Sequence, residues 1–168
     1  MVEFPVLTTK RCRLRRLTCL DTPVLQEIFN DSLTKNFLPE LQALVQGNAG
    51  VELLLSTFDA YLDMGEGVLW GINDSDRLVG FIAVLDLSCT PTIIYAAHPS
   101  FRSRGYLKES IQAVLQYMRE MRRCSCLHSE VYKENVVSIH LLESNGFTIY
   151  SEDQTKIYLR YEMSSLRR

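Results

Sequence analysis

Residues 92–147 read TIIYAAHPSFRSRGYLKESIQAVLQYMREMRRCSCLHSEVYKENVVSIHLLESNGF, and this stretch decides the fold. Its first part, Thr92–Ala97, is a short β-branched apolar run of the kind that forms a buried strand. A basic turn with one glycine, Arg102–Leu107, follows it. A long amphipathic helix then begins, and one helical face collects its apolar residues: Leu107, Ile111, Val114, Leu115 and Met118.

The turn between this strand and helix has the composition of an anion-binding site. The first N–H groups of a helix have no intrahelical partner and lie at the positive end of the helix dipole. Gly105 lets the backbone approach a ligand, and Arg102 and Arg104 add positive charge. A strand, turn and helix with one glycine is also common without any ligand, so a solvated basic turn is the alternative at this point.

Three motifs make the chain resemble the GNAT family of acetyl-CoA-dependent N-acetyltransferases. Arg102-x-x-Gly105-x-Leu107 matches the family's pyrophosphate-loop pattern R/Q-x-x-G-x-G/A at two of three positions, and Leu107 is bulky where a small residue is usual. Downstream, Asn135-x-x-Ser138 and Glu143-x-x-Gly146-Phe147 resemble the second signature, N-x-x-S…E-x-x-G-F. The N-terminal segment LTTKRCRLR, residues 7–15, resembles the first motif of the branch that acetylates ribosomal proteins.

Patterns in the rest of the chain predict alternating helices and strands. Helices are expected from an N-cap at Asp21 to about Asn30, at Leu41–Val45, over residues 51–62, and at Val136–Ser144 behind an N-cap at Asn135. Strands are expected at Cys12–Leu17, Val68–Ile72, Leu78–Leu85, Ser125–Val131, Phe147–Ser151 and Lys156–Met163, with a five-residue loop, 73–77, inside a hairpin. Residues 31–50 are otherwise irregular in pattern.

The resemblance implies a fold of the α/β (α+β) class. It would be a GNAT-like three-layer sandwich with a mixed, mostly antiparallel sheet, splayed central strands and helices on both faces. The chain of 168 residues is expected to form one domain, residues 1–168.

Composition excludes several classes of function. The net charge of −2 gives no reason to expect a nucleic-acid partner, and no apolar run approaches membrane-spanning length. The five cysteines are odd in number and scattered, so no disulfide framework is predicted and a cytoplasmic location is expected. Cys124-x-Cys126-x-His128 has no second ligand pair at zinc spacing, so no metal site is expected.

The resemblance also implies which residues hold acetyl-CoA. Backbone groups of the central strand, about Tyr95, Ala96 and Ala97, would face the pantetheine and the developing oxyanion. Asn135 matches the family's cofactor-contacting asparagine, and it is equally a helix N-cap. The pyrophosphate would lie at the turn formed by Arg102, Ser103, Arg104, Gly105, Tyr106 and Leu107.

Two residues are candidates for proton transfer. Glu130 matches a glutamate that serves as general base in some relatives, and a solvated or salt-bridged strand glutamate is the alternative. Many relatives carry a tyrosine as general acid where this chain has Leu142, so Ser138 is the candidate acid, with a capping role as its alternative. Further polar candidates are His140, Tyr132 and Tyr95, and solvent is another proton source.

The function expected from the resemblance is transfer of an acetyl group from acetyl-CoA to a primary amine by direct attack in a ternary complex. The acceptor would be a protein or peptide N-terminus or a small amine. Leu107 and Leu142 keep open a non-catalytic acyl-CoA-binding protein on the same scaffold. A nucleotide-binding module is a weaker alternative, because the turn has one glycine and no Lys-Ser/Thr pair. A homodimer through Lys156–Met163 is one open outcome.

Overall fold

One eight-stranded sheet organises the computed structural model, which describes residues 2–163. The strand order is β1-β2-β3-β4-β5-β6-β8-β7, and every neighbouring pair is antiparallel except β5–β6. The strands are β1 Leu7–Thr8, β2 Cys12–Arg16, β3 Gly67–Asp74, β4 Arg77–Leu85, β5 Thr92–Ala97, β6 Cys126–Tyr132, β7 Thr148–Glu152 and β8 Lys156–Glu162.

Helices cover both faces of this sheet. They are α1 Thr22–Asn30, α2 Ser32–Phe37, α3 Pro39–Val45, α4 Gly50–Met64, α5 Tyr106–Met121 and α6 Val136–Ser144. On one face, α5 and α6 bury residues such as Ile111, Val114 and Leu142 in a common apolar cluster. On the other face, α1 and α4 bury Leu25 and Leu54 in a second cluster. The predicted three-layer arrangement is therefore confirmed.

The parallel neighbours β5 and β6 are paired only where they begin. Thr92 is the single register partner of His128, and the His128 N–H donates to the Pro91 carbonyl at 2.7 Å. Beyond this point the two strands separate. The sheet is split at its centre, as the resemblance implied, and the gap opens towards the N-terminal end of α5.

The N-terminal motif forms a hairpin rather than one strand. The Thr9 N–H donates to the Cys12 carbonyl at 2.8 Å, and the Cys12 N–H donates to Thr9 Oγ1 at 2.8 Å. These bonds reverse the chain between β1 and β2. The reversal brings the side chains of Thr9 and Arg11 against α5.

Three local predictions need correction. Asp21 is the N-cap residue of α1, as predicted, but its carboxylate makes no cap bond to that helix, because it accepts hydrogen bonds from the Thr18 N–H and the Arg15 guanidinium. The β3–β4 hairpin is closed by two residues, since Asp74 pairs with Arg77. Residues 32–37, expected to be irregular, form α2 because the Asp31 side chain caps its first turn.

The last strand is also less available to a partner than expected. β8 lies between β6 and β7, so both of its edges are already paired, and β7 is the strand at the sheet edge. A homodimer built by edge pairing of Lys156–Met163 is therefore excluded. Within residues 2–163, no helix has the length and apolar content needed to cross a bilayer.

Candidate active site

A cleft of about 600 Å³ lies in the gap between β5 and β6. The N-terminal ends of α5 and α6 and the chain around α2 complete its walls. The structure brings together the twelve residues proposed to bind acetyl-CoA or to transfer protons as the main candidates. All twelve contribute to the lining: Tyr95, Ala96, Ala97, Arg102, Ser103, Arg104, Gly105, Tyr106, Leu107, Glu130, Asn135 and Ser138.

The loop before α5 presents backbone donors to this cleft. Gly105 precedes the helix with φ +81°, and Ser103 has φ +60°, so the chain turns sharply before Tyr106. The first intrahelical bond runs from the Glu109 N–H to the Gly105 carbonyl at 3.1 Å. The N–H groups of residues 106–108 therefore have no intrahelical acceptor. Such a helix end suits a phosphate group.

The side chains of Tyr106 and Leu107 are held by contacts outside the loop. Tyr106 is buried, and its hydroxyl donates to Asp74 at the end of β3, a hydrogen bond that raises the pKa of Tyr106. Leu107 is half-buried and packs against the apolar cluster under α5. The bulky residue in the pyrophosphate-loop pattern therefore contributes to the core as well as to the cleft wall.

The Arg102 guanidinium is already paired. It donates to the Asp31 carboxylate, which also accepts the Thr34 N–H at 3.2 Å and so caps α2. The hydrogen bond from Arg102 is the main reason that the pKa of Asp31 is lowered. Arg104 instead lies over the Phe101 ring, with Cζ 5.5 Å from the ring centroid. Of the two predicted phosphate-binding arginines, Arg102 thus links the loop to the opposite wall.

Of the three β5 residues whose backbone groups were proposed to contact acetyl-CoA, only two direct those groups into the cleft. Alternate residues of a strand direct their N–H and C=O groups to opposite neighbours. The Ile93 carbonyl accepts from Ser129 of β6, whereas a Cβ added at Gly80 of β4 would lie 2.5 Å from the Ala96 carbonyl oxygen. Tyr95 and Ala97 therefore direct their backbone groups into the gap, and Ala96 directs its own towards β4.

Two hydroxyl groups meet inside the cleft. Tyr95 Oη lies 2.6 Å from Ser138 Oγ, and Asn135 Oδ1 accepts the Ser138 N–H at 3.3 Å. Asn135 is therefore the cap of α6, as predicted, and the Ser138 hydroxyl is free for Tyr95. Burial raises the pKa of Tyr95, although its bond to Ser138 acts in the opposite direction. The phenol therefore stays protonated at neutral pH.

Glu130 belongs to a charged group at the opposite wall. Lys156 Nζ lies 3.3 Å from Glu130 Oε2, 3.8 Å from Glu40 Oε1 and 5.1 Å from the centroid of the Tyr132 ring. Burial would lower the pKa of Lys156, but the hydrogen bond to Glu130 and the nearby carboxylates leave it raised. The Glu130 side chain is about half exposed, within reach of a ligand in the cleft.

Apolar side chains complete this end of the cleft. Leu33, Phe37 and Leu38 come from α2 and the residue after it, and the Phe37 and Tyr132 ring centroids are 6.4 Å apart. The family resemblance implies that residues 31–50 lie over the acceptor site, but the irregular pattern predicted no helix at 32–37 and named none of these side chains. Sequence reasoning also missed Lys156, whose pairing with Glu130 depends on the β6–β8 register.

Two further positions lie outside the cleft. Leu142, at the position of the usual tyrosine, is fully buried in the apolar cluster beneath α6. His140 is exposed on α6 and does not line the cleft. No group of three or more potential metal ligands occurs among residues 2–163.

Comparisons with known proteins agree with this arrangement. Residues 11–148 match the family model described as an acetyltransferase (GNAT) domain. The uncharacterized N-acetyltransferase YoaA of Bacillus subtilis is 28% identical over 151 residues, which cover 86% of this chain and 83% of that protein.

Solved structures share the fold at low sequence identity. A ribosomal α-N-protein acetyltransferase, RimL, in complex with coenzyme A superposes with a TM-score of 0.77 and 13% identity, covering 95% of this chain and 98% of the other. Spermidine N-acetyltransferase from Vibrio cholerae, in complex with coenzyme A and spermine, superposes with a TM-score of 0.76 and 15% identity. The match covers 91% of this chain and 96% of the other.

Proposed function

Because this chain belongs to the GNAT acetyltransferase family, we propose that the cleft between β5 and β6 is where it acetylates the α-amine of a peptide or protein. The chain is an acetyl-CoA-dependent N-acetyltransferase. Which residues bind the donor, which move protons and which amine is accepted are parts of the proposal. The cytoplasmic location and the single domain over residues 1–168 stay predictions.

The donor would lie along β5 with its pyrophosphate at the start of α5. The free N–H groups of residues 106–108 and the close backbone approach at Gly105 fit a doubly charged phosphate pair. A cleft of about 600 Å³ has room for an extended pantetheine arm. Bound acetyl-CoA supplies a thioester, whose carbonyl carbon is the electrophile. The Tyr95 and Ala97 backbone groups are the candidates to bind the oxygen of that carbonyl.

The amine would enter between α2 and β6, where Glu130 is the candidate base. A peptide α-amine has a pKa of about 7.7–8.0, so little assistance is needed to deprotonate it at neutral pH. Glu130 is exposed enough to accept that proton, directly or through water. Lys156 Nζ, 3.3 Å from Oε2, holds the carboxylate in place beside the cleft.

On the donor side, Tyr95 and Ser138 are the candidate proton source for the departing thiolate. Their hydroxyl groups form one hydrogen-bonded pair in the cleft, in which one O–H donates within the pair and the other is left for a ligand. Tyr95, on β5, would then replace the tyrosine that many relatives carry on α6 at the position of Leu142.

The observation that carries the choice of acceptor is the character of the entrance. Leu33, Phe37 and Tyr132 offer an apolar wall, and the Glu130 carboxylate beside it is already paired with Lys156. This favours a peptide N-terminus with an uncharged first side chain over a polyamine.

Calorimetric titration and an acceptor screen test this function. Acetyl-CoA should bind in the micromolar range and ATP clearly more weakly. Thiol release should then be faster with peptides that begin in Ala or Ser than with spermidine at the same concentration. Absence of acetyl-CoA binding would refute the donor site, and faster release with spermidine would refute the assigned acceptor class.

A further inference from the structure

The turn between β1 and β2 is joined to the first turn of α5, and the proposed function gives this junction no role. The Glu109 carboxylate accepts the Thr9 hydroxyl, the Arg11 N–H at 3.1 Å and the Arg11 Nε–H at 3.1 Å. The partners Arg11 and Glu109 are 98 residues apart in the chain. One carboxylate of the cofactor helix is thus held by three donors from the N-terminal hairpin.

The Arg11 side chain also contacts the loop itself. Its Nη1–H donates to the Arg104 carbonyl at 2.9 Å, and its Cζ lies 4.4 Å from the centroid of the Tyr106 ring. A Cβ added at Gly105 would lie 3.2 Å from Arg11 Nη2. A single guanidinium therefore lies against three consecutive residues of the loop.

The hairpin and the loop that Arg11 joins are each held by further hydrogen bonds. Thr9 is held in its turn by two backbone-directed bonds with Cys12, and the Tyr106 hydroxyl is held by Asp74. The loop backbone between them is strained, since Ser103 has positive φ without being glycine. A loop that keeps such a conformation before the ligand arrives loses less entropy when it binds.

Charge gives Arg11 a second effect. Burial would raise the pKa of Glu109, but hydrogen bonds from Thr9 and Arg11 leave it lowered, so the carboxylate is ionised at neutral pH. It belongs to the same helical turn as the free N–H groups of residues 106–108. Without Arg11, the charge of Glu109 would lie in the same helical turn as a bound pyrophosphate with no cation to neutralise it.

We infer that Arg11, together with Thr9 and Glu109, is a positioning residue for the pyrophosphate of acetyl-CoA. It holds the loop 102–107 in its ligand-binding conformation and neutralises Glu109, without itself being part of the cleft lining. The inference rests on the proposed function, because it requires this loop to be the pyrophosphate site.

Arg11→Ala tests the inference through the choice of donor. Its Kd for acetyl-CoA, measured by calorimetry, should rise about ten- to hundredfold, as expected for lost hydrogen bonds to charged groups. Its kcat at saturating acetyl-CoA should change less than about twofold. With S-acetylpantetheine, which has no pyrophosphate, kcat/KM should also change less than about twofold. Arg13→Ala, an exposed arginine on β2, is the matched control and should bind acetyl-CoA normally.

The double variant Arg11→Ala with Glu109→Gln distinguishes the effect of the Glu109 charge from the effect of the loop conformation. It should recover part of the lost affinity, since the unpaired carboxylate is removed. If Arg11→Ala does not fold, Arg11→Lys makes the same comparison. Its ammonium keeps the charge but cannot bind Glu109 and the Arg104 carbonyl in the geometry of a planar guanidinium.

Two results would overturn the inference. Wild-type affinity for acetyl-CoA in both Arg11 variants would show that the loop needs no such support. An equal loss with S-acetylpantetheine would show a general structural defect. Failure of the wild-type protein to bind acetyl-CoA would refute the proposed donor site instead, so the two failures are distinguishable.

Discussion

The hydroxyl oxygens of Tyr95 and Ser138 lie 2.6 Å apart and join β5 to α6 across the cleft. Only one of the two hydroxyls donates its proton in this bond, which leaves the other proton available to a ligand. Because α6 is capped by Asn135 rather than by the Ser138 side chain, Ser138 is free to exchange roles with Tyr95.

Replacing either hydroxyl tests the proposed proton source. Tyr95→Phe should lower kcat about ten- to hundredfold, because the ring is retained while the donor is lost. Ser138→Ala should lower kcat by less, since Tyr95 keeps its own proton. Steady-state rates of thiol release measure both. His140→Ala, at an exposed position of α6, is the control. A wild-type kcat in Tyr95→Phe would show that Tyr95 is not the proton source.

Removing the charge of Glu130 tests the base. Glu130→Gln keeps the size of the side chain but cannot accept a proton, so kcat/KM for a peptide acceptor should fall up to about tenfold at neutral pH, where about a tenth of an α-amine is already neutral. Rates are compared across about pH 6–9. Glu162→Gln, an exposed glutamate on β8, should have no such effect. If Glu130→Gln stays within about twofold of the wild type throughout, Glu130 is not the general base.

Gly105 is a position where a side chain is strained by the backbone itself. With φ +81°, Gly105→Ala should cost about 1–2 kcal/mol in the present loop conformation or force the loop to change. Calorimetry should therefore record weaker acetyl-CoA binding. Gly47→Ala is the matched control, because nothing lies within 4 Å of its added Cβ and its φ is not positive. Equal affinities in the two variants would contradict a tightly constrained loop.

The Arg15–Asp21 ion pair should stabilise the fold far from the cleft. Asp21 is largely buried, and two guanidinium nitrogens of Arg15 donate to it at 2.8 and 2.9 Å. Asp21→Asn should lower the free energy of unfolding by about 2–3 kcal/mol at pH 7, measured by urea denaturation. Asp59→Asn, which loses an exposed pair with Arg16, should cost less than about 1 kcal/mol.

The pH dependence of this loss has a definite sign. Burial would raise the pKa of Asp21, but hydrogen bonds from Arg15 and Thr18 leave it below its ordinary value. Its stabilising effect is therefore complete above the unfolded-state pKa, about 3.9, and is lost as the pH falls through the lower folded-state value. The difference between wild type and Asp21→Asn should shrink on acidification below about pH 4. A constant difference would show that the carboxylate charge is irrelevant.

Local patterns were enough to predict the elements that frame the cleft. The limits of β5 and α6 are those expected, since Thr92–Ala97 is a bounded apolar run and Asn135 and Gly146 mark the two ends of a helix. The turn before α5 is indicated by Gly105 and its basic neighbours, but only the resemblance to the family's pyrophosphate-loop pattern favours a ligand there over a solvated turn. Each of these signals lies within a few residues of the feature that it predicts.

Contacts between distant segments could not be predicted in the same way. The pairing of Lys156 with Glu130 follows from the β6–β8 register, which no local pattern reveals. The local pattern places Asp21 correctly before α1 but cannot reveal that Arg15, on β2, binds its carboxylate in place of the helix N–H groups. In both cases a charged side chain found a partner that only the folded sheet brings near.

The Arg102–Asp31 ion pair joins the proposed donor loop to the cap of α2, which lies at the proposed entrance of the amine. A pyrophosphate that drew Arg102 away from Asp31 would alter the cap of that helix. The two substrates would then change each other's affinity through this contact. By thermodynamic reciprocity, whatever factor acetyl-CoA imposes on acceptor affinity, the acceptor imposes on the affinity for acetyl-CoA.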